Sequence, residues 1–540
     1  MEPMSHSLLY EAIIASLVLL AGLIYLFLTS NYNYWKDRGV PFNKPKLLFG
    51  SLKDQFLQKK SPNELYQGFY DEFKGHRYGG FYEIKNPILL IRDPELVEKV
   101  LIKDFTHFYN RGFPAAPKEE YLTSNLFNLE GKVWRNLRYK LTPTFTSGKL
   151  KGMFEQICNC GDELIKCIEE ERKKSNTVEG KPLLAAFAFE IIASVAFGLQ
   201  LDKDSEANIA FRKVVDSLFK PSRLQLFKFL AILYKPKLAR KLGVRQFNKD
   251  MEATVMTLIK GTLDYRDQKN IKRNDFFQLL INLRDQEKEG KFNVYTDVEH
   301  SPEDDVIDQM KHAGKEHIEE IEDGVEDGVF MTDKIIAAQS FVFFTAGSES
   351  VSSTANFALL CLSQNQEIQE RAYKEIKAVL KQHDNKLSYP AMKEMTYLDQ
   401  VIQETLRMYP IAPILFRVCT EPYKIPDSDL VVEKGVKVII PVMAIHNDPQ
   451  YHESPEVFNP DRFENNNYRP SGTYLPFGDG PRICIAMRFA ALEVKVVLAK
   501  ILSQYNVKLS SKTKIPFEYK KSSFLLSPEE DFCFEFYKRS

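Results

Sequence analysis

The stretch Phe477-Gly478-Asp479-Gly480-Pro481-Arg482-Ile483-Cys484 ends in one cysteine placed as a thiolate ligand would be. A thiol binds metal only after losing its proton, so Cys484 asks for surroundings that stabilise negative sulfur. Gly478 and Gly480 permit a tight turn and close approach to a flat partner. The mostly apolar run from Ile485 to Leu502 reads as a helix with its positive dipole end near the sulfur, and Arg482 adds a cation. Taken alone, a lone cysteine is more commonly a buried, inert one beside a glycine turn.

Three other constellations lie upstream. Asp333 to Leu362 is a long apolar helical stretch with small residues at its middle, Thr345-Ala346-Gly347-Ser348-Glu349-Ser350. A mid-helix glycine costs about 1 kcal/mol relative to alanine, and marks close packing or a functional opening. Glu404-Thr405-Leu406-Arg407 lies in a helix predicted to start near Pro390 and end at Pro410, where residues three apart share a face and can pair. Trp134 and Arg138 fall four apart on one helix face, and Pro460-Asp461-Arg462-Phe463 precedes the cysteine loop.

In this order, these segments resemble the cytochrome P-450 haem-thiolate monooxygenases. Trp134 through Lys149 and Arg417 through Asn459 look most like insect microsomal members that metabolise foreign and plant compounds, and the likeness runs from Trp35 onward. The resemblance implies a mainly α fold with a smaller β-rich lobe. It implies that Cys484 is the axial ligand of a haem b iron, pushing electron density to the metal. Phe477, Trp134, Arg138, Arg417 and Arg482 are then cofactor-binding residues, the arginines and the indole facing the propionates. Glu349 and Ser350 carry the family's proton-delivering acid and hydroxyl, and Arg462 joins Glu404 and Arg407 in a structural lock. Two positions depart from the family's pattern. Ala486 stands where glycine is usual, and Ser350 where threonine is, which keeps the hydroxyl without the methyl.

The same resemblance supplies expectations for ligands and partners. Phe341, Phe344, Thr345, Ile411, Ile414, Leu415, Phe127 and Leu525 are pocket candidates for a lipophilic small molecule: a xenobiotic, plant toxin or insecticide. An endogenous hormone, steroid or fatty acid, a haem-thiolate isomerisation, and a haem carrier are the alternatives. NADPH and O2 are co-substrates. NADPH is not bound by this chain, because Gly478-x-Gly480 follows no Rossmann strand and lacks the third glycine. Electrons are expected from a separate NADPH-cytochrome reductase docking on Arg135, Lys140, Lys149, Lys151 and Arg488.

Composition sets the remaining bounds. The 540 residues carry 73 basic and 73 acidic side chains, a balance that argues against nucleic acid as a partner. Seven irregularly spaced cysteines do not read as a disulfide framework. Cys158, Cys160 and Cys167 read as helix packing. From Ala12 to Thr29 no residue is charged, a length that spans a bilayer core. Residues 1–30 are read as an uncleaved membrane anchor and 31–50 as a proline-containing hinge, with Tyr32, Tyr34 and Trp35 as an interfacial belt. Lys36, Arg38, Lys44 and Lys46 then place the body, residues 51–540, on the cytosolic side of the endoplasmic reticulum membrane, as in a microsomal single-pass protein. Within the body, 297–328 reads as an acidic loop insertion, its His300, His312 and His317 belonging to a solvated segment.

Overall fold

The computed structural model describes residues 6–113, 115–198, 236–290, 331–466 and 472–539, with a few helical residues between 224 and 232. The uncharged N-terminal run forms α1 (His6–Thr29), and its Tyr10–Thr29 portion is, among the described residues, the one helix long and apolar enough to cross a membrane. Its large apolar side chains stand exposed, as a lipid-facing helix requires and a core helix forbids.

The segment after α1 differs from the hinge expected over 31–50. Trp35 is fully buried. Its indole N–H donates to the Phe81 carbonyl at 3.1 Å, and its backbone N–H to the Tyr82 hydroxyl at 3.2 Å. Asn43 N–H donates to Gly80 O at 2.9 Å and Gly80 N–H to Pro41 O at 2.7 Å, so this stretch lines the edge of strand β1 (Tyr78–Glu83). Tyr34 packs edge-on against the indole, and the Tyr32 hydroxyl donates to Lys46 O. These aromatics are a clamp on the body rather than an interfacial belt. The physical reason is that an indole gains more by burying its whole ring with its N–H satisfied than by resting half-wet among headgroups.

Strand β1 pairs antiparallel with β2 (Asn86–Ile91). A four-stranded sheet is completed by β3 (Leu415–Val418) and β4 (Lys437–Ile440), in the order β1-β2-β4-β3, with β2 and β4 parallel. Its core holds Trp35, Phe81, Leu90, Ile439 and Ile414. A second sheet joins the short strand Val178–Glu179 to Cys533–Lys538 and Tyr505–Leu509.

The larger core is helical. Helices α2 (Gly131–Leu141), α3 (Ser147–Lys174), α4 (Gly180–Ala196) and α5 (Phe276–Lys288) precede the long α6 (Asp333–Gln364), which is apolar on most sides and therefore interior. Thr332 caps α6, accepting from the Ile335 N–H at 3.3 Å. The single helix predicted between Pro390 and Pro410 is two: α7 (Tyr389–Glu394) and α8 (Thr396–Met408), broken at Met395. Glu375 explains the break, because its carboxylate accepts from the Tyr397 and Leu398 N–H groups at 2.7 and 3.0 Å and so caps a new N-terminus. The final long helix, α9 (Met487–Gln504), begins just after the cysteine loop. The acidic segment 297–328, with His300, His312 and His317, lies outside the described residues.

Candidate functional site

The loop before α9 is built by its glycines. Gly478 and Gly480 have φ of +75° and +66°, which L side chains rarely adopt. At Gly480 the demand is absolute, since a β-carbon would lie 1.9 Å from the Leu101 carbonyl oxygen. Asp479 accepts from the Gly480 N–H at 2.8 Å, and Cys484 N–H donates to Phe477 O at 2.9 Å, closing the loop. These bonds fix the partly buried Cys484 at the mouth of α9.

The electrostatics around the sulfur differ from the sequence expectation. Desolvation pushes the Cys484 thiol up, and the Ala486 N–H bond, then Arg138 and Arg111, offset part of that rise. The cation expected from Arg482 is absent from this set. Its guanidinium turns away: Nε donates to Tyr109 O and Nη2 to Leu129 O, each at 2.9 Å, and its face covers the Trp134 indole at 3.8 Å. In the protein alone burial therefore favours the thiol over the thiolate. Ala486 is accommodated without disturbing the turn, its carbonyl accepting from Ala490 N–H at 2.9 Å.

Four arginines converge nearby. Trp134 and Arg138, on α2, are both buried, as is Arg417 on β3. Arg138 Nε and Arg417 Nε have no hydrogen-bond partner. The fourth is Arg111, which the sequence reading missed; it donates to the carbonyls of Arg482 at 3.0 Å and Phe127 at 3.3 Å. A lone arginine in an irregular loop has no periodic signal. Its neighbour Asn110 places it, with backbone O accepting from Val418 N–H on β3 and side-chain O accepting from Gly131 N–H at the start of α2. Desolvation first, and then the neighbouring guanidiniums Arg111, Arg417 and Arg138, push Arg482 down to about 7; Glu130 offsets a part. Arg417 is pushed down to about 9 by desolvation and Arg111. A guanidinium does not surrender its proton in a protein, so these directions express a demand for negative charge that the surrounding residues leave unmet. Two buried, unpartnered guanidinium nitrogens near the Cys484 thiol fit a flat metallocofactor bearing carboxylates.

Glu349 and Ser350 are neighbours in sequence but not in direction. The Glu349 carboxylate turns toward α4, where Lys181 Nζ donates to it at 2.8 Å, while Ser350 Oγ donates to Ala346 O on its own helix at 2.7 Å. The lock is present: Arg407 donates through Nε and Nη2 to the two oxygens of Glu404 at 2.8 and 2.9 Å, and Arg462 Nε adds a bond at 3.3 Å.

The pocket candidates divide. Thr345, Leu415 and Leu525 are half-buried and Phe127 is exposed, and Ala346 is exposed in the middle of an otherwise interior helix. Phe344 is a correction. It is fully buried, edge-on to Phe189 and Phe197, because its face of α6 is the one packed on α4. Phe341 is likewise buried, edge-on to Phe247, Ile414 belongs to the core of the sheet, and Ile411 is buried with its carbonyl accepting from Leu526 N–H. Of the docking candidates, Lys149 and Lys151 are exposed and Arg135 and Arg488 half-buried. Lys140 instead forms an ion pair with Glu287 of α5, which removes it from a free basic face.

Comparison with known proteins places this geometry. The family model described as Cytochrome P450 matches residues 40–303 and 299–534, the two matches meeting at the acidic segment. The protein named "Probable cytochrome P450 6a14" of Drosophila melanogaster is 36% identical over 527 residues, covering 96% of this chain and 97% of its own. "Cytochrome P450 6a2" of the same organism is 36% identical, covering 94% and 96%. "Cytochrome P450 6k1" of Blattella germanica is 35% identical, covering 96% and 95%.

Proposed function

The chain belongs to the cytochrome P-450 family and is a monooxygenase, and from that premise we propose that it inserts one oxygen atom of O2 into lipophilic foreign compounds, with electrons from NADPH delivered by a separate reductase. The observation that carries this reading is the convergence of Cys484 with Arg111, Arg138, Arg417 and Arg482, two of them with buried nitrogens lacking partners. The substrate class rests on the resemblance of Trp134–Lys149 and Arg417–Asn459 to insect members that metabolise foreign compounds.

When bound, haem b supplies the one-electron and oxygen chemistry that no side chain can. Cys484 Sγ would be the residue that holds it, with the Ala486 N–H bond offsetting part of the cost of its negative charge. Phe477 closes the loop behind the sulfur. Trp134, Arg138, Arg417, Arg482 and, newly, Arg111 would hold its carboxylates by N–H donation and positive charge, Arg138 and Arg417 through the nitrogens that now lack partners. Thr345, Ala346, Leu415, Phe127 and Leu525 line the apolar side, where they orient substrate and exclude water. Ser350 Oγ, which now donates to Ala346 O, would be the hydroxyl that passes a proton, and Glu349 the acid that replaces it.

The apolar helix α1 supports a placement at the membrane. It anchors the chain in the endoplasmic reticulum membrane, and the basic residues Lys36, Arg38, Lys44 and Lys46 hold the body on the cytosolic face. The body's basic face, with Lys149 and Lys151 exposed, receives the reductase. The acidic segment 297–328 is an insertion outside the chemistry.

The reading is tested by mixing the purified full chain, in lipid vesicles, with NADPH-cytochrome reductase and a panel of lipophilic plant and synthetic compounds. Oxygen uptake that needs NADPH, reductase and substrate together supports it. Turnover of peroxides without the reductase would favour the isomerase reading instead.

A further inference from the structure

In the loop that leads into α2, from Leu122 to Leu129, Phe127 alone is exposed, its ring 42% open while each of its neighbours there is buried. The loop makes its own turn. Asn125 Oδ1 accepts from the Phe127 and Asn128 N–H groups, each at 3.0 Å, and Asn125 Nδ2 donates to Leu122 O at 2.8 Å. What docks this turn is a side chain of α6. Gln339, 0% exposed, accepts from Leu126 N–H through Oε1 and donates to Ser124 O through Nε2, both at 2.9 Å. One amide that answers a donor and an acceptor two residues apart fixes the register of the loop, because a slip of one residue breaks both bonds. Carbonyls of the same loop face the arginine cluster, Phe127 O accepting from Arg111 at 3.3 Å and Leu129 O from Arg482 at 2.9 Å. The backbone that carries the Phe127 ring is therefore gripped from both sides.

We propose that Gln339 is a positioning residue for ligand selection: from α6, and without touching the ligand, it sets where the Phe127 ring stands and so how well the pocket holds an aromatic group. The inference rests on the reading of Phe127 as a wall of the substrate pocket. Full burial keeps the Gln339 amide from any ligand, so its influence runs through the loop. Without that amide, Leu126 N–H and Ser124 O are left buried and unpaired, a cost the loop escapes only by moving. Asn125 still holds the turn together, so the loop moves as a unit and carries Phe127 with it. The ring has aromatic company to guide a flat ligand: Phe113 lies 5.1 Å away, centroid to centroid, and the Arg111 guanidinium sits 4.5 Å over the Phe127 face.

The test uses the haem-loaded full chain with two probes, N-phenylimidazole and N-butylimidazole, titrated by the shift of the Soret band. Both present the same nitrogen to the iron, so the ratio of their dissociation constants reports the side group alone. The original chain should hold the phenyl compound more tightly. Phe127→Ala should lower that preference about three- to tenfold, the size of a lost aromatic contact. Gln339→Leu, which keeps the volume without the amide, should lower it as far. Combining the two should lower it no further, because both act through one ring. Gln339→Glu still accepts from Leu126 N–H but loses the bond to Ser124 O, and its preference should fall between those of the original and Gln339→Leu. If Phe127→Ala leaves the preference unchanged, the reading of Phe127 as a pocket wall fails and the proposal with it. If Phe127→Ala lowers it while Gln339→Leu does not, or if the two losses add, the proposal for Gln339 alone is overturned. Should Gln339→Leu take up no haem, Gln339→Glu stands in its place, and a preference equal to the original's overturns the proposal.

Discussion

Arg482 sits over the indole of Trp134, its Cζ 3.8 Å from the ring centroid, so the cysteine loop and helix α2 share one cation–π contact. The pair ties the proposed iron ligand to the proposed propionate clamp, since Arg482 and Cys484 belong to the same turn and Trp134 and Arg138 to the same helix face.

Trp134→Ala removes that platform and opens a cavity, for which a loss of about 3–5 kcal/mol is the usual range. Haem retained per chain, read by absorbance after gel filtration, should drop severely, while Trp134→Phe keeps part of it through the remaining ring face. Full haem occupancy in the alanine protein would mean that the Tyr109 and Leu129 carbonyls hold Arg482 without the indole.

The N-terminal clamp predicts where the chain can be cut. A β-carbon at Gly80 would lie 2.4 Å from the Trp35 ring, which leaves the indole no room to shift. Removing residues 1–29 should yield a body with unchanged melting temperature. Removing 1–49, or making Trp35→Ala, should lower it by several degrees, because the ring and its two hydrogen bonds are lost together. Equal melting of both truncated proteins would restore the flexible-hinge description.

Glu404 is fully buried and accepts from Arg407 twice, from Arg462 once and from the Asn459 N–H. Glu404→Ala leaves the buried Arg407 guanidinium uncompensated and should cost about 3–5 kcal/mol. Arg462→Ala removes one longer bond at the edge of the group and should cost less than half as much. Urea unfolding of the two variants gives the order, and a larger loss for Arg462 would contradict the assignment of Arg407 as the central partner.

His446 supplies the pH dependence. Burial, with a smaller contribution from His452, pushes it down to about 3, and burial pushes His452 down to about 4. In the folded protein His446 Nε2 accepts from Leu475 N–H at 2.7 Å, and Nδ1 donates to the Arg407 carbonyl at 3.1 Å. Both histidines are therefore neutral when folded and bind a proton near their ordinary value when unfolded. Stability is full above about pH 6.5 and falls as the pH drops toward 4, because unfolding takes up protons in that window. The urea midpoint measured from pH 7 to 4 should show this slope, flattened in His446→Asn.

Much of this site is legible in the sequence because its parts are local patterns. The glycine turn, the spacing of Trp134 and Arg138, and the Glu404–Arg407 pair each depend on neighbours a few residues away. What escaped depends on contacts between distant segments. Arg111 is placed by Asn110 bridging β3 and α2, the break at Met395 by a carboxylate on another helix, and the burial of Trp35 by a glycine in β1. Phe344 was misplaced for a related reason: hydropathy shows that α6 is interior without showing which face meets α4.

The central claim is that Cys484 is the thiolate ligand of a haem iron. The direct measurement is the absorption spectrum of the reduced protein under carbon monoxide, for the original chain and for Cys484→Ser at matched haem content. Thiolate ligation predicts the strongly red-shifted Soret band of a carbonyl haem-thiolate in the original chain and its loss in the serine protein. The same red-shifted band in Cys484→Ser would contradict the account.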